Sequence, residues 1–439
     1  MAKKAYEKQS ISLKEVQKIG PALESAVRDF LGWEKGRVVY YSNPKESLLY
    51  DLDVDACFPN ITSPEIFVSA TYCNPDKPGH SNENKLQLKL GELLLLKSRY
   101  PNIKAVLVIG GTKQAWLPYV LKAFEFFYDK TLFTWDKDFD KKLNEIKENP
   151  KNIDLKHQDT WKKLSDEWKN IELYKGKPIV SNFRKNIWLL TKEIGCEGSH
   201  PSSIKNQIIR YCMQAAYDCS IRTRARSGSE WTNYMNGNWN KLWESRSYFN
   251  PVEATIELLL INSGYAYSGK LAQDAEVPSL IHYLGGKEVD NTKVSEDFVL
   301  FSQKLNLPVF IQSKSTGGGM EGHGKNIQNR TKEQLARSLF YRGSIDNKGN
   351  IVLREKDFFW ISVLDGDWGV TKKTPLKYIH MLQWAGYDFL IGADELVDDK
   401  FNIKYKSNKL TAILSELDCI KEQEKFEIAW SNWVNKRMK

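Results

Sequence analysis

Hydrophobic and polar positions in the first third of the chain alternate in a way that predicts an α/β fold. A helix is predicted over 12–33, with apolar residues on one face at Val16, Ile19, Leu23 and Val27. Short apolar runs at 66–68 and 105–109 are typical of strands buried in a mixed sheet. A polar helix over 81–99 lies between these two runs. The pattern therefore predicts a mixed β-sheet flanked by helices.

The last third of the chain repeats this kind of pattern. A helix is predicted after Pro251, followed by a hairpin that joins 297–302 to 308–313. A Gly-rich loop, a helix over 326–341 and a strand over 358–363 follow. We therefore predict three regions: an α/β domain at 1–135, a helical, basic and aromatic region at 136–250, and a second α/β domain at 251–439.

Four residues that recur at one constant offset suggest that the two α/β regions are copies of one core. The first copy contributes Phe67, Gly79, His80 and Lys89. Each of these residues has an identical residue 243 positions later, namely Phe310, Gly322, His323 and Lys332. An internal repeat predicts one core folded twice, and chance similarity remains the alternative.

Composition narrows the functional classes. The 439 residues carry 64 Lys and Arg against 55 Asp and Glu, a net charge of +9, with 14 Trp, 20 Tyr and 19 Phe. Positive charge with many aromatic residues favours a polyanion as partner. The six cysteines form no CxxC pair, which predicts that there is no zinc site built on thiolates. No long apolar run is present, so no membrane span is predicted. Reduced cysteines and the lack of a secretory signal predict a cytoplasmic protein. No GxxxxGK[ST], HExxH or GxSxG motif indicates an NTPase, a zinc protease or a serine hydrolase.

The segment PVFIQSKSTGGGMEGHGKNIQNRTKEQ at 308–334 carries the strongest chemical signal. A strand places Gln312 and Lys314 on one face because their spacing is two. The acids Asp290, Glu296 and Asp297 lie one hairpin upstream. Mg²⁺ binds carboxylate and amide oxygens, and a nearby ammonium group can orient a water or neutralise a phosphate. These residues therefore predict a Mg²⁺ site suited to phosphodiester hydrolysis.

An acid, a hairpin and Gln-x-Lys on adjacent strands resemble the PD-(D/E)xK nuclease superfamily, in the variant with Gln in place of the second acid. The resemblance implies a Mg²⁺-dependent type II restriction endonuclease that cuts double-stranded DNA, and it covers roughly 251–395. It implies that Gln312 and either Asp290 or Asp297 bind the metal, while Lys314 acts in catalysis. No Pro-Asp precedes the hairpin, so the metal-binding acid is not fixed, and Glu296 and Asp274 are further candidates for it.

A further acid is implied on the helix that follows the Gln-x-Lys strand. The resemblance gives this role to Glu333. The alternative is an exposed helix residue that pairs with Arg337 four positions later.

The first α/β region has a comparable arrangement without Gln-x-Lys. Three aspartates, Asp51, Asp53 and Asp55, alternate along one strand. The next strand has Ser69-Ala70-Thr71 where Gln-x-Lys would stand. Relocated groups could form a site from Asp53, Glu83 and Lys85, with Lys89 and Glu92 nearby. The region is then either a true active site or a degenerate scaffold that grips DNA, and we favour the scaffold.

DNA contacts are expected from basic residues of the middle region and of the helix after the Gly-rich loop. The candidates are Arg222, Arg224, Arg226, Lys325 and Arg330. An exposed basic loop is the alternative for the three middle arginines. The expected assembly is a homodimer, or a pseudo-dimeric monomer if the repeat is real. A repair or recombination nuclease and a non-catalytic DNA-binding protein remain alternative functions.

Overall fold

The computed structural model describes residues 13–41, 48–74, 82–193, 208, 250–269, 274–280, 294–315, 324–368 and 376–438. Up to Glu193 the elements are α1 (Leu13–Leu31), β1 (Glu34–Tyr41), β2 (Leu48–Phe58), β3 (Ile66–Tyr72), α2 (Asn82–Arg99), β4 (Lys104–Gly110), α3 (Pro118–Phe127), β5 (Lys130–Phe133), α4 (Phe139–Glu148), α5 (Gln158–Asn170), β6 (Val180–Ser181) and α6 (Phe183–Glu193). A short 3₁₀ helix at Lys113–Ala115 follows β4.

After residue 250 the elements are α7 (Pro251–Asn262), β7 (Ser268–Gly269), β8 (Ala275–Val277), β9 (Val294–Glu296), β10 (Phe298–Ser302), β11 (Leu307–Ser315), α8 (Gly324–Arg342), β12 (Gly343–Ile345), β13 (Ile351–Leu353), β14 (Phe359–Asp367), α9 (Lys377–Ala385), β15 (Phe389–Gly392), α10 (Lys409–Glu416) and α11 (Gln423–Met438). A 3₁₀ helix at Ala393–Leu396 follows β15. The prediction of a mixed α/β protein with helices flanking mixed sheets is confirmed.

The chain folds into two units that are not continuous in sequence. The first unit comprises Met1–Leu173, Ser279–Thr292 and Thr331–Glu355. The second comprises Tyr174–Pro278, Lys293–Arg330 and Lys356–Lys439. Helix α8 therefore begins in the second unit and ends in the first. The predicted division at 135 and 250 stays a prediction, and most of 194–249 lies outside the described residues.

The sheet of the first unit has the strand order β1-β2-β3-β4-β5. Its first three strands are antiparallel neighbours, whereas β4 is parallel to β3 and β5 is parallel to β4. Helix α1 covers one face, where Leu23 and Val27 pack with Ala56, Val68 and Val106 in a buried core. The order of elements along the chain is helix, three strands, helix, strand, helix, strand.

The main sheet of the second unit repeats this topology. Its order is β7-β10-β11-β14-β15, with β6 added at the end of β14. The strands β7, β10 and β11 are antiparallel neighbours, and β14 and β15 continue in parallel from β11. Helix α7 packs on the face that carries Phe298, Ile311 and Ile361. The element order from α7 matches that from α1, apart from short insertions.

The registers of the two sheets correspond residue by residue. Phe67 on β3 lies beside Ala105 on β4, and Phe310 on β11 lies beside Trp360 on β14. These positions are the ones that the offset of 243 relates, since 310 − 67 = 243. Gly79, His80, Gly322 and His323, the other residues of the predicted repeat, lie outside the described residues.

A Tyr-Asp pair directly before the last strand of each sheet recurs with the same backbone contact. Asp129 precedes β5 and accepts a hydrogen bond from the amide of Ala105 at 2.7 Å. Asp388 precedes β15 and accepts one from the amide of Trp360, also at 2.7 Å. Each carboxylate also pairs with a lysine, Lys97 or Lys356. The two units are therefore built on one plan, down to individual side-chain contacts.

No helix in the described parts of the chain has the length and apolar character needed to cross a bilayer.

Candidate active site

In the second unit, Asp297 and Gln312 are placed together by the pairing of β10 with β11. Phe298 pairs with Ile311, so one residue further along the two strands Asp297 faces Gln312. Directly opposed residues of antiparallel strands point to the same face of a sheet. The carboxylate of Asp297 accepts a hydrogen bond from the amide of Ser313 at 2.6 Å. This contact fixes the acid at the edge of the Gln-x-Lys segment.

Lys314 completes the arrangement on the same face, two residues beyond Gln312. All three side chains are buried, with 8%, 2% and 9% exposure for Asp297, Gln312 and Lys314. The structure thus places Asp297, directly before β10, beside the strand that carries Gln312 and Lys314, and the roles of the three residues stay predictions. The Gly-rich loop that follows, 316–323, lies outside the described residues.

Glycine is required opposite the acid. Gly269 on β7 has φ +109°, a conformation that side-chain-bearing residues rarely adopt. A Cβ at this position would lie 2.3 Å from the backbone oxygen of Asp297. The close approach of β7 therefore holds the backbone of Asp297 in place.

The amide of Gln312 is oriented by an aromatic pair. The Tyr387 hydroxyl donates to Gln312 Oε1 at 2.7 Å. The Tyr387 ring stacks on Trp360 with 4.0 Å between ring centroids. The Trp360 indole donates in turn to the buried carboxylate of Glu296 at 3.3 Å. Glu296 therefore supports the aromatic pair, whereas Asp297 is the acid that faces Gln312.

The donor set of this site fits a hard divalent cation. Carboxylate and amide oxygens are the kinds of oxygen ligand that such a cation prefers. Mg²⁺ is commonly held by one or two such protein oxygens and by waters or phosphate oxygens. No cluster of three or more His, Cys, Asp or Glu residues suited to a metal occurs in the described parts of the chain. Asp297 and Gln312 would supply two protein oxygens to such an ion, with waters or phosphate oxygens as its remaining ligands.

In the first unit, Asp55 occupies the position that Asp297 has in the second. Ala56 pairs with Val68, so Asp55 faces Ser69 one residue further on. The Asp55 carboxylate accepts a hydrogen bond from the amide of Ala70 at 2.6 Å. This contact repeats the bond between Asp297 and Ser313. Ser69 and Thr71 stand where the second unit has Gln312 and Lys314.

The charged groups near Asp55 come from helices. On α2, the Lys89 ammonium lies 2.8 Å from Glu92 Oε2, and the Lys332 ammonium from the C-terminal part of α8 lies 2.8 Å from Glu92 Oε1. The Tyr128 hydroxyl donates to the backbone oxygen of Lys89 at 2.8 Å. We call Asp55, Lys89, Glu92 and Lys332 the ion cluster; Lys332 is buried and the other three residues are partly buried.

The cluster shifts the pKa values of its members. Burial raises the pKa of Asp55 to about 6, although the Lys89 ammonium acts in the opposite direction. Burial also disfavours the charged form of Glu92, but Lys332 and Lys89 outweigh it and lower the pKa of Glu92 to about 2. Burial alone would lower the pKa of Lys89, yet Glu92 and Asp55 raise it overall. Glu92 and Lys89 are therefore charged at neutral pH.

The alternative site of Asp53, Glu83 and Lys85 stays a prediction, and the structure gives each of these side chains a different neighbour. Asp53 lies on the part of β2 that pairs with β1, where it is exposed and bonds Lys35 at 2.8 Å. Glu83 accepts a hydrogen bond from the Tyr119 hydroxyl at 2.6 Å. Lys85 lies near Cys73, and burial lowers its pKa. The pairing of β2 with β3 selects Asp55, and the relocated groups beside it are Lys89 and Glu92.

The remaining predicted residues have separate outcomes. Glu333 is buried and belongs to the first unit, whereas Asp297, Gln312 and Lys314 belong to the second, so its catalytic role stays a prediction. Arg330 is exposed on α8. Lys325 lies in the first turn of the same helix. The candidates outside the described residues are Asp290, Arg222, Arg224 and Arg226.

Comparisons with family models, with curated proteins and with solved structures found no match for this chain.

Sequence reasoning missed Tyr387 and Trp360 at the second site. Tyr387 is 75 residues from Gln312, which it contacts. One signal was available: the pair Tyr-Asp precedes a short apolar run both at Tyr128 and at Tyr387. Comparison of the two α/β regions over their whole length could have revealed it.

Proposed function

We propose that this protein is a Mg²⁺-dependent endonuclease of the PD-(D/E)xK type that cuts double-stranded DNA at a specific short sequence, as a type II restriction enzyme does. The observation that carries the proposal is the juxtaposition of Asp297, Gln312 and Lys314 on adjacent strands of a mixed sheet. The order of helix, three strands, helix and strand is the one expected for that nuclease core, and it supports the same proposal.

Each residue of the site has a role in phosphodiester hydrolysis. Asp297 and Gln312 would hold Mg²⁺ through a carboxylate and an amide oxygen. When bound, Mg²⁺ polarises the scissile phosphate and lowers the pKa of a water in its coordination sphere. The Lys314 ammonium stabilises the negative charge that develops on the phosphate and orients the attacking water. Tyr387 keeps the Gln312 amide oxygen directed for this purpose.

Double-stranded DNA is the proposed partner. The net charge of +9 favours a polyanion, and the exposed Arg330 adds positive charge on α8. Binding that neutralises phosphates releases counterions, so affinity for a duplex should fall steeply as salt rises. An affinity that does not change between 50 and 200 mM salt, roughly the range over which such contacts are lost, would argue against DNA.

A cytoplasmic location is part of the proposal. Cys57, Cys73 and Cys419 are free and buried in the described part of the chain. Burial raises the pKa of each of these thiols, to about 11 for Cys57 and about 12 for Cys419. Such thiols remain protonated and unreactive, as expected for a protein that folds without disulfides.

The decisive experiment is incubation of the full chain with a plasmid and Mg²⁺. We expect discrete fragments, and no cleavage after chelation of the metal. Lys314→Ala should lower the cleavage rate by about 10²–10⁴-fold, the range for loss of one such catalytic group. The matched control is Lys304→Ala, because Lys304 is an exposed lysine of the β10–β11 turn.

The control should cleave like the unsubstituted protein. Equal rates for Lys314→Ala and the unsubstituted protein would remove the catalytic role of β11. Random degradation or a preference for branched substrates, in a panel of duplex, branched and single-stranded DNA, would favour a repair or recombination nuclease.

A further inference from the structure

The two units retain the same acid but surround it differently. Asp55 and Asp297 both face the third antiparallel strand and both accept a hydrogen bond from its backbone. Beside Asp297 stand an amide and an ammonium group on the strand itself. Beside Asp55, the strand offers the hydroxyls of Ser69 and Thr71, which provide no positive charge.

Positive charge reaches Asp55 from the chain itself. Both oxygens of Glu92 accept a bond of 2.8 Å from an ammonium group, one from Lys89 and one from Lys332. The side chains of Lys89, Glu92 and Lys332 are 16%, 17% and 7% exposed, so water screens these pairs only weakly. The two lysines balance the two carboxylates of the ion cluster, and Glu24 of α1 is a further acid that acts on Asp55.

A divalent cation would have to displace these ion pairs. Mg²⁺ needs several oxygen ligands in a near-octahedral arrangement and keeps waters of its own. Both Glu92 oxygens are engaged, and two ammonium groups would repel an incoming cation. The cluster is therefore already neutralised by covalently attached cations.

Backbone packing closes the same place. Gly91 on α2 lies against the backbone of α8 at Lys332, and a Cβ on Gly91 would lie 2.3 Å from the Lys332 oxygen. Two helices in backbone contact leave no gap for a hydrated ion or a phosphate between them. This geometric observation is independent of the charges and leads to the same conclusion.

We propose that the described residues of the first unit form no cleavage centre, because the Lys89 ammonium, which Glu92 holds together with Lys332, takes the place of a divalent cation near Asp55, and that each chain therefore cuts one DNA strand per binding event. The inference rests on the proposed function of the second unit. It makes the protein a single-centre enzyme built on two copies of a nuclease-like core. Cleavage of both strands then requires two binding events or two chains.

Strand-resolved plasmid cleavage tests this inference. With supercoiled plasmid in excess over the full chain, we expect open-circular DNA to accumulate before linear DNA. Asp55→Asn should leave the rates of both steps within about twofold of the unsubstituted protein, whereas the isosteric Asp297→Asn should lose both. An Asp55→Asn protein that stops at open-circular DNA would identify the first unit as the second centre and overturn the inference.

Metal stoichiometry gives a readout that does not depend on cleavage. Mn²⁺, a paramagnetic substitute for Mg²⁺, can be titrated and followed by electron paramagnetic resonance. We expect one bound Mn²⁺ per chain, retained in Asp55→Asn and lost in Asp297→Asn. A second Mn²⁺ that disappears in Asp55→Asn would contradict the inference alone. A chain that binds no Mn²⁺ and cuts no DNA would instead refute the proposed function.

Discussion

The two units are one architecture with two arrangements of charge. Both keep the acid that bonds to the third strand and the Tyr-Asp pair before the last strand. They differ in what the third strand carries, hydroxyls in the first unit and an amide with an amine in the second. The backbone contacts of the acids are thus part of the fold, and we attribute the proposed chemistry of the second unit to two side chains of β11.

In the first unit, Asp55 is removed from water in an arrangement that we propose binds no cation from solution. Removing charges from water is unfavourable unless partners restore the lost interactions. Lys89 opposes this cost at Asp55, and Glu92 is in turn paired with Lys89 and Lys332. A site that could bind a metal and a site that is filled by lysines are therefore alternative solutions to the same electrostatic problem.

The largest expected effect comes from making the second unit resemble the first. The double substitution Gln312→Ser and Lys314→Thr gives β11 the two residues of β3. We expect cleavage to fall by about 10⁴-fold, since losses of a charge-stabilising and of a water-orienting group each reach 10²-fold or more. The single-turnover cleavage rate of the substituted and unsubstituted proteins measures this loss. A protein that keeps more than about a tenth of its rate would show that chemistry does not occur at β11.

A large loss of stability is expected when the ion cluster is broken. Glu92→Gln leaves the ammonium groups of Lys89 and Lys332 without their shared carboxylate. We expect a loss of about 3–5 kcal/mol in the free energy of unfolding, as for other buried pairs with one partner removed. The measurement is urea unfolding at neutral pH.

The matched control for this prediction is Asp53→Asn on the same unit. Asp53 and Lys35 form an exposed pair, with side chains 59% and 55% accessible. Exposed pairs contribute at most about 1 kcal/mol. Equal losses for the two substitutions would mean that Glu92 is no more important to the fold than a surface acid.

The pH dependence of stability should distinguish Asp55 from an ordinary surface acid. Its pKa is about 6 in the folded protein and 3.8 as the reference value, so the folded state binds more protons between these pH values. The contribution of Asp55 to the free energy of unfolding therefore falls as the pH rises from about 4 to about 6. Glu92, with a pKa lowered to about 2, acts in the other direction and at lower pH, below its reference value of 4.5.

Asp55→Asn isolates this effect. We expect the substituted protein to gain roughly 1–3 kcal/mol relative to the unsubstituted one between pH 4 and pH 7, since one pKa unit corresponds to 1.36 kcal/mol. Denaturant unfolding at several pH values measures the difference. A difference that stays constant with pH would contradict the shifted pKa of Asp55.

Local patterns predicted the elements and part of the second site. The α/β class and the hairpin of β10 with β11 followed from strand alternation and spacing, whereas the acid beside Gln312 was left open between Asp290 and Asp297. In the first unit, Asp53 and Asp55 alternate onto one face of β2, so alternation did not separate them and the alternative site was predicted at Asp53. Only the pairing with β3 separates them, and the sequence does not specify where that pairing begins.

Long-range contacts explain the rest of what was missed. Glu92 meets Lys332 across 240 residues, and no periodic pattern connects them. The repeat was visible at Phe67 and Phe310, but its offset changes from 243 to 259 at Tyr128 and Tyr387, since 387 − 128 = 259. The intervening β12 and β13 account for part of that shift, so an ungapped comparison could not extend the repeat.

The smallest effect concerns the tyrosines of the recurring Tyr-Asp pair. Tyr387 donates to the side chain of Gln312, whereas Tyr128 donates to the backbone of Lys89. Tyr387→Phe should raise the Mg²⁺ concentration needed for half-maximal cleavage by about fivefold, because one hydrogen bond is worth about 1 kcal/mol and about 1.4 kcal/mol corresponds to tenfold. Tyr128→Phe should cost a similar amount of stability but leave that Mg²⁺ concentration unchanged. If Tyr387→Phe lowered stability alone, the tyrosine would belong to the shared fold in both units, and the orientation of Gln312 would not depend on it.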